Sequence, residues 1–252
     1  MMKTVLITGC STGFGRDTAI HFLDQGWRVV ATMRNPAANS LPMSDRLIVL
    51  QLDVTNADSI AAAIAQAGPI DVLVNNAGFG WLNAVEGTPL DTVRALFETN
   101  LFGAIAMMQA VLPGMREQRS GVIVNVSSSS LYKPLPLLSA YRASKAAMNA
   151  LTESAAHELA PFGIRVRVVM PGMAPSTSFS GTAQGHVMGA GGFPEAYADY
   201  AQATFAAMMQ AANGPVTVGQ DVADAIFRAA TDADCPAVLP AGADAVAWAK
   251  GE

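Results

Sequence analysis

Short apolar runs recur along the chain, separated by longer segments whose apolar positions are three or four residues apart. The short runs are rich in valine, isoleucine and leucine, as in strands that are buried on both faces of a sheet. The pattern predicts strands at Val5–Ile7, Trp27–Thr32, Leu47–Leu52, Asp71–Val74, Val122–Val126 and Ile164–Val169, with a final short strand at Cys235–Leu239. It predicts helices from the first glycine-rich turn to about Gln25, over 56–67, over 89–118, from Tyr141 to about Ala160, over 195–212, and over Asp221–Ala230 as the last helix.

Strand and helix alternate with short connections, which predicts an α/β fold in which helices cover both faces of a doubly wound parallel sheet. We expect one domain over residues 1–252, with three layers. Pro171–Gly172 interrupts the alternation, and residues 173–217 are then rich in glycine with interleaved aromatic residues. A long insertion of this kind is typical of a lid beside an active cleft.

The composition excludes several classes of protein. Hydrophobic residues make up 51% of the chain and charged residues 14%, so disorder is not expected. The formal net charge of -5, without long charge runs, argues against nucleic acid or an anionic membrane as a partner. We identify no apolar run of the roughly 18 residues that span a bilayer, and the N-terminus lacks the pattern of a signal peptide.

The two cysteines, Cys10 and Cys235, belong to no cluster with metal-ligand spacing, and neither do His21, His157 and His186. We therefore expect no metal site. A reducing cytoplasm is the compartment that this cysteine usage favours.

A glycine-rich turn, Thr8–Gly15, lies between the first strand and the first helix. Glycines permit a tight turn and the close approach of a ligand, and the N-terminus of the helix offers N–H groups to a phosphate. The spacing is GxxxGxG rather than GxGxxG, and a plain turn is the alternative. Its place in the first βα unit favours phosphate binding.

Arg34 follows the second strand, where folds of this class meet the adenosine ribose. No acidic residue stands there to bind ribose hydroxyls, whereas Arg34 can form charge-assisted bonds to a 2′-phosphate. This favours NADP over NAD, and a solvated surface arginine is the alternative.

Tyr141 and Lys145 are four residues apart on a predicted helix, so they share one face. An ammonium beside a phenol favours the phenolate, and we expect it to lower the tyrosine pKa from about 10. Such a tyrosine can give or take a proton near neutral pH. An ordinary surface pair has the same spacing.

Together these motifs resemble those of the classical short-chain dehydrogenase/reductase family over nearly the whole chain. The motifs that carry the resemblance are TGxxxGxG (Thr8–Gly15), NNAG (Asn75–Gly78), Asn100, a strand-end serine, YxxxK (Tyr141–Lys145) and Pro171–Gly172. The resemblance implies a Rossmann-type fold and an NAD(P)-dependent oxidoreductase, and the glycine turn and the residues around Arg34 look closest to the hydroxysteroid and retinol dehydrogenase-like branch.

The resemblance also implies roles for individual residues. Lys145 would hold the nicotinamide ribose and Asn100 would help to hold a water molecule in a proton relay. The family places its serine thirteen residues before the tyrosine, which selects Ser128, with Ser130 next; Ser127 and Ser129 should point to the other side of the extended chain. The residues implied at the cofactor are Gly9, Ser11, Thr12, Gly13, Phe14, Gly15, Arg34, Asp53, Val54, Asn76, Ala77, Gly78, Tyr141, Lys145, Pro171, Gly172, Ala174 and Ser176. Ala174 and Ser176 depart from the Val or Ile and the Thr that are usual there.

We therefore expect hydride transfer between NADP(H), with NAD(H) as an alternative, and a carbonyl or secondary alcohol of a hydrophobic substrate. Asn100, Ser128, Tyr141 and Lys145 are the expected catalytic residues. A cofactor-binding protein without catalysis is the alternative. The resemblance further implies a homodimer or homotetramer, formed through the helices that carry Asn100 and Tyr141.

Overall fold

The computed structural model describes residues 2–175 and 192–252. Seven strands in these ranges form one parallel sheet in the order β3-β2-β1-β4-β5-β6-β7, which confirms the predicted α/β fold. The strands are β1 (Thr4–Thr8), β2 (Arg28–Met33), β3 (Leu47–Gln51), β4 (Val72–Asn75), β5 (Gly121–Val126), β6 (Ile164–Pro171) and β7 (Val238–Ala241). The order reverses between β1 and β4, where open α/β sheets bind their ligands.

Helices cover both faces of this sheet. They are α1 (Gly13–Asp24), α2 (Ala57–Ala67), α3 (Leu90–Phe97), α4 (Gly103–Gln118), α5 (Ser139–Leu159), α6 (Ala198–Ala211), α7 (Gly219–Thr231) and α8 (Ala243–Ala249). Short 3₁₀ turns lie at Pro36–Ala38, Ser129–Leu131, Ala160–Phe162 and Glu195–Tyr197, and a π-helical segment spans Glu98–Phe102.

The core has two layers because successive strand residues point to opposite faces. Val5 and Ile7 of β1 pack under α1 and α7, whereas Leu6 between them packs under α2, α4 and α5. Both layers are built from fully buried aliphatic side chains, as the continuous apolar runs predict.

The helix expected over 89–118 contains an irregularity that the spacing does not reveal. α3 and α4 are joined without a break by the π-helical segment Glu98–Phe102, in which Asn100 lies. By length and composition Leu90–Gln118 is apolar enough to cross a membrane, with 39% of its most apolar window buried. This corrects the expectation that no segment reaches that length, and the packing of Met107, Val111 and Met115 against the sheet accounts for the apolar composition.

The C-terminal elements differ from the prediction. α7 is not the last helix, because α8 follows β7. β7 lies at Val238–Ala241, three residues later than expected, where it pairs with Val168–Pro171 of β6. Trp27 precedes β2, and its ring packs edge-on against Phe22 with ring centroids 5.2 Å apart.

Candidate active site

The predicted site residues converge on one edge of the sheet. The strands are parallel, so their carboxyl ends meet there: the glycine turn follows β1, Arg34 follows β2, Asp53 lies just beyond β3, and Ser128 follows β5. This edge contains the β1–β4 reversal point, where a dinucleotide binds in folds of this type.

The glycine turn has the geometry of a phosphate cradle. Gly9 and Gly13 adopt φ of +75° and +58°, a region that favours glycine. A Cβ on Gly15 would overlap the Gly9 carbonyl oxygen and lie 2.5 Å from Asn76 Nδ2. The first turn of α1 carries no acidic side chain that would repel a phosphate. This turn, which also contains Ser11, Thr12 and Phe14, therefore fits the diphosphate of a dinucleotide.

Thr8 and Asn76 hold this turn from beneath. Asn76 Nδ2 donates hydrogen bonds to the carbonyl oxygens of Thr8 (2.9 Å) and Gly9 (3.2 Å). The Thr8 hydroxyl oxygen accepts from the backbone N–H groups of Asn76 (3.0 Å) and Ala77 (2.9 Å). Both amide protons of Asn76 are thus used within the protein, so its side chain shapes the turn. The sequence predicts no separate role for Thr8.

Asp53 and Arg34 lie close enough to influence each other. The backbone N–H and hydroxyl of Thr55 donate to Asp53 Oδ1 over 2.9 and 2.7 Å, and these bonds lower the pKa of Asp53. The Arg34 charge lowers it further. Val54, in contrast, is buried against the first turn of α4, where a Cβ on Gly103 would lie 2.7 Å from Val54 Cγ2.

The Ser128 hydroxyl lies close enough to the Tyr141 side chain to counteract part of the rise in the Tyr141 pKa. Ser128 is half-exposed at the end of β5, whereas Ser127, Ser129 and Ser130 are buried. The expected alternation does not continue beyond Ser128, because Ser129–Leu131 form a 3₁₀ turn in which Ser130 is buried as Ser129 is. The structure thus brings the serine that the family spacing selects to the hydroxyl of Tyr141.

The expected lowering of the Tyr141 pKa is wrong for this structure. Burial raises the pKa of Tyr141 to about 12, and the nearby Ser128 hydroxyl only partly opposes this shift. Lys145 is also buried, which lowers the pKa of its ammonium to about 8. Its Nζ donates a 2.9 Å hydrogen bond to the Val126 carbonyl. Tertiary packing causes this burial, and the four-residue spacing of Tyr141 and Lys145 does not reveal it.

Asn100 is fixed by three hydrogen bonds of its side chain. Its Oδ1 accepts from the Phe79 N–H (3.0 Å), and its Nδ2 donates to the Phe79 carbonyl (3.1 Å) and to the Ser144 hydroxyl (3.1 Å). A Cβ on Gly78 would lie 2.9 Å from Asn100 Oδ1 and 3.6 Å from Lys145 Nζ. Glycine at position 78 therefore lets the NNAG segment lie directly against two predicted catalytic residues.

Asn75 is the last residue of β4 and supports the sheet. Its Nδ2 donates to Asn125 Oδ1 over 2.9 Å, and Asn125 Nδ2 donates to the Thr152 hydroxyl over 2.8 Å. All three residues are buried. They tie β4 to β5 and α5 below the predicted catalytic residues.

The segment after β6 is held by residues of the C-terminal part. Pro171 pairs with Ala241 of β7, and the Gly172 N–H donates to the Thr217 hydroxyl oxygen over 3.0 Å. Ala174 is half-buried. Ser176 and His186 lie outside the described residues.

An apolar wall beside Tyr141 contains residues that carry no sequence motif. Trp81, Leu96, Leu138 and Tyr141 form one cluster of buried residues, and Phe193 packs against it. Phe193 also packs against the neighbouring cluster of Ala84, Leu137 and Ala201. Leu96 belongs to α3 and Tyr141 to α5, whereas Trp81, Leu138 and Phe193 lie in connecting loops, so the alternating pattern of the chain does not indicate how these residues meet.

Asn83 holds these loops together. It is 1% exposed, and its Nδ2 donates to the carbonyls of Gly87 and Gly192, each over 3.0 Å. Its backbone N–H donates to the Leu137 carbonyl over 2.8 Å. Leu137 has a φ of +63°, which is strained for a branched residue and is maintained by these surroundings.

Comparisons with known proteins agree with this architecture. A family model described as short chain dehydrogenase matches residues 3–185. Retinol dehydrogenase 8 of Bos taurus is 41% identical over 182 residues, which cover 68% of this chain and 58% of that protein. A short-chain dehydrogenase from Streptomyces avermitilis superposes with a TM-score of 0.83 at 35% identity, covering 100% of this chain and 92% of the other.

A short-chain dehydrogenase from Burkholderia cenocepacia, solved in complex with NADP, has a TM-score of 0.80 at 28% identity and covers 99% of this chain and 92% of its own. The chain belongs to the short-chain dehydrogenase family, a family of NAD(P)-dependent oxidoreductases. Within the family, its similarity to retinol dehydrogenase 8 places it in the hydroxysteroid and retinol dehydrogenase branch.

Proposed function

We propose that this protein transfers a hydride between NADP(H) and a carbonyl or secondary alcohol of a bulky apolar substrate, with Tyr141 as the proton donor and acceptor. The observation that carries the proposal is the proximity of the Ser128 and Tyr141 side chains at the carboxyl edge of the sheet. Two hydroxyl groups that meet beside a bound cofactor can donate to one substrate oxygen.

The reaction requires stabilisation of negative charge on that oxygen. The nicotinamide supplies or accepts the hydride when it is bound. In the reductive direction Tyr141 donates its proton to the oxygen, and Ser128 donates a second hydrogen bond that fixes the orientation of the carbonyl. With a pKa raised to about 12, Tyr141 carries its proton at neutral pH and is ready to donate it.

Lys145 is the proposed source of positive charge. Its pKa of about 8 leaves the ammonium charged at neutral pH, although it is buried. In this role it holds the ribose hydroxyls of the cofactor and stabilises the Tyr141 phenolate that forms when the proton leaves.

The preference for NADP is supported by the charges at the ends of β2 and β3. Arg34 is exposed, and its position after β2 suits a 2′-phosphate. Asp53 reduces the net positive charge there, so we propose a preference for NADP rather than strict selectivity.

The substrate class follows from the wall beside Tyr141. Trp81, Leu138 and Phe193 present apolar surface to the cluster that includes this tyrosine. Apolar surface with a few convergent polar groups is typical of sites for hydrophobic small molecules. We propose substrates with a large hydrocarbon body and a single reacting oxygen.

The proposal of a dimer rests on the exposed face of α5. Ala143, Ala146 and Ala150 are exposed and lie on one side of this helix, so a second helix can approach closely. Light scattering after size-exclusion chromatography measures the assembly, and a monomer at micromolar concentration would contradict it. The cytoplasmic location remains a prediction.

The test is hydride transfer measured by nicotinamide absorbance at 340 nm, over a panel of ketones and alcohols of increasing hydrocarbon size. We expect kcat/KM to rise with hydrocarbon size. Tyr141→Phe should lower kcat by about 10²- to 10⁴-fold, the usual contribution of a general acid, and Ser128→Ala by about 10²-fold. Tyr200→Phe on the exposed face of α6 is the matched control.

Two results would contradict the proposal. Activity that survives in Tyr141→Phe would remove Tyr141 from the mechanism. Cofactor binding without turnover of any compound in the panel would favour the alternative of a cofactor-binding protein without catalysis.

A further inference from the structure

Asp244 is a buried carboxylate at the start of α8, far along the chain from the predicted active-site motifs. It is 6% exposed, and its two oxygens accept hydrogen bonds from different segments. The Met173 N–H donates to Oδ2 over 2.5 Å, and the Thr217 hydroxyl donates to Oδ1 over 2.6 Å. Met173 and Thr217 are the two ends of the proposed lid segment, 173–217.

The two ends are also bonded to each other. The Thr217 N–H donates to the Met173 carbonyl over 2.8 Å, and the Gly172 N–H donates to the Thr217 hydroxyl oxygen over 3.0 Å. Thr217 is fully buried. Asp244 therefore closes a hydrogen-bonded ring in which both the beginning and the end of the lid segment are fixed to the C-terminal helix.

Two glycines make room for this ring. A Cβ on Gly172 would overlap the Asp244 carboxylate, and a Cβ on Gly242 would overlap the Thr217 hydroxyl. Gly242 also has a φ of +98°. A side chain at either position would prevent these hydrogen bonds from forming. Gly172 is also part of the Pro171–Gly172 motif that is predicted at the cofactor.

We propose that Asp244 and Thr217 form a clasp that positions Gly172–Ala174 for the cofactor, so that the C-terminal helix determines cofactor affinity. Both are positioning residues that act through the backbone of this segment. The inference rests on the proposed function only in assigning Gly172–Ala174 to the nicotinamide. Loss of the carboxylate leaves the Met173 N–H without this acceptor and leaves the Thr217 hydroxyl with only its 3.0 Å bond to the Ala241 carbonyl, so Gly172–Ala174 are held less firmly.

The test compares Asp244→Ala with Asp244→Asn. Asparagine can still accept from the Met173 N–H through its oxygen and donate to the Thr217 hydroxyl oxygen, so it should rescue the effect. We expect Asp244→Ala to raise the Kd for NADPH about 10- to 100-fold, as for the loss of one or two hydrogen bonds to a charged group. Asp244→Asn should stay within about 3-fold of the unmodified protein. NADPH fluorescence titration measures Kd without any substrate.

Hydrogen exchange of the cofactor-free protein provides the second readout. The amides of Met173 and Thr217 should exchange at least about 10-fold faster in Asp244→Ala, because their local structure opens more readily. Thr152→Val is the matched control, since it removes a buried threonine hydroxyl that accepts from Asn125 and donates to the Met148 carbonyl over 2.7 Å. It should lower Tm without changing Kd or the exchange of these two amides.

The clasp is overturned if Asp244→Ala lowers only Tm, as the Thr152→Val control does, and leaves Kd and amide exchange unchanged. It is also overturned if Asp244→Asn is as impaired as Asp244→Ala. Absence of turnover in the unmodified protein would contradict the proposed function but not the clasp, because neither readout requires a reaction.

Discussion

Asn100 donates a hydrogen bond of 3.1 Å to the Ser144 hydroxyl, and that hydroxyl donates one of 2.7 Å to the Tyr141 carbonyl. Ser144 is fully buried. It therefore connects the π-helical segment that contains Asn100 to the first turn of α5, beside the proposed proton donor.

Ser144→Ala removes this connection. Because it leaves a buried amide proton of Asn100 without an acceptor, we expect a loss of about 1–3 kcal/mol in the free energy of unfolding. We also expect kcat to fall more than the KM for NADPH rises. Urea denaturation and steady-state kinetics measure the two effects. Ser120→Ala at an exposed position is the control, and equal behaviour of the two variants would contradict the role of Ser144.

Gly15→Ala tests the phosphate cradle. The added Cβ would overlap the Gly9 carbonyl and crowd Asn76 Nδ2, so the turn must open. We expect the Kd for NADPH to rise at least about 100-fold, since the backbone N–H groups no longer converge on the phosphates.

Gly114→Ala is the matched control for that variant. Apart from neighbouring residues and the backbone of its own helix, no atom lies within 4 Å of the position where its Cβ would be, and alanine is favoured over glycine inside a helix by about 1 kcal/mol. We expect a slightly higher Tm and an unchanged Kd. NADPH binding by Gly15→Ala at the affinity of the unmodified protein would contradict the assignment of the turn.

Arg34→Ala tests the cofactor preference. Loss of a charge-assisted hydrogen bond of about 1.5–3 kcal/mol should raise the KM for NADPH about 10- to 150-fold and leave that for NADH nearly unchanged. Arg94→Ala is the control, because Arg94 is exposed and paired with Asp91 on α3. A preference of the unmodified protein for NADH would show that the assignment of NADP is wrong.

The pH dependence of kcat/KM should report Lys145. Its pKa is lowered to about 8 by burial, so its charge is present below pH 8 and is lost as the pH rises through that value. We expect kcat/KM for reduction to fall above about pH 8, well before Tyr141 loses its own proton near pH 12. Steady-state kinetics recorded from pH 6 to 10 measure this decrease in kcat/KM.

Lys145→Arg separates the charge from other effects of pH. Arginine stays charged throughout the range, so the fall above pH 8 should disappear even if the absolute rate is lower. If kcat/KM of Lys145→Arg still falls above pH 8, another group must cause that fall.

Local sequence patterns were sufficient to predict much of the fold and most residues of the candidate site. Valine-rich runs identify buried strands, and the glycines of the turn stand where positive φ or close approach requires them. The family spacing selects Ser128, which is the half-exposed residue of the serine run. Each of these features depends on residues that are near one another in the sequence.

The remaining features depend on contacts between distant residues. The pKa of Tyr141 follows from burial, which the spacing to Lys145 does not reveal. Asp244 contacts Met173 and Thr217, which are 71 and 27 residues away. Asn83 bonds to Gly192 across 109 residues. No local pattern contains such information, because the partners are set by the packing of the whole sheet and its helices.

The π-helical segment Glu98–Phe102 has a consequence for how the gene can change. It accommodates one residue more than an α-helical turn, and each residue rotates an α-helix by about 100°. α3 buries Leu96 in the apolar wall, whereas α4 buries Met107 and Met115 against the sheet. Deletion of a single codon here would leave a regular α-helical turn, so both helices would keep their buried faces, but Asn100 would lose the position from which it bonds to Phe79 and Ser144. The extra residue in this stretch should therefore be retained for the position of Asn100 rather than for the packing of the two helices.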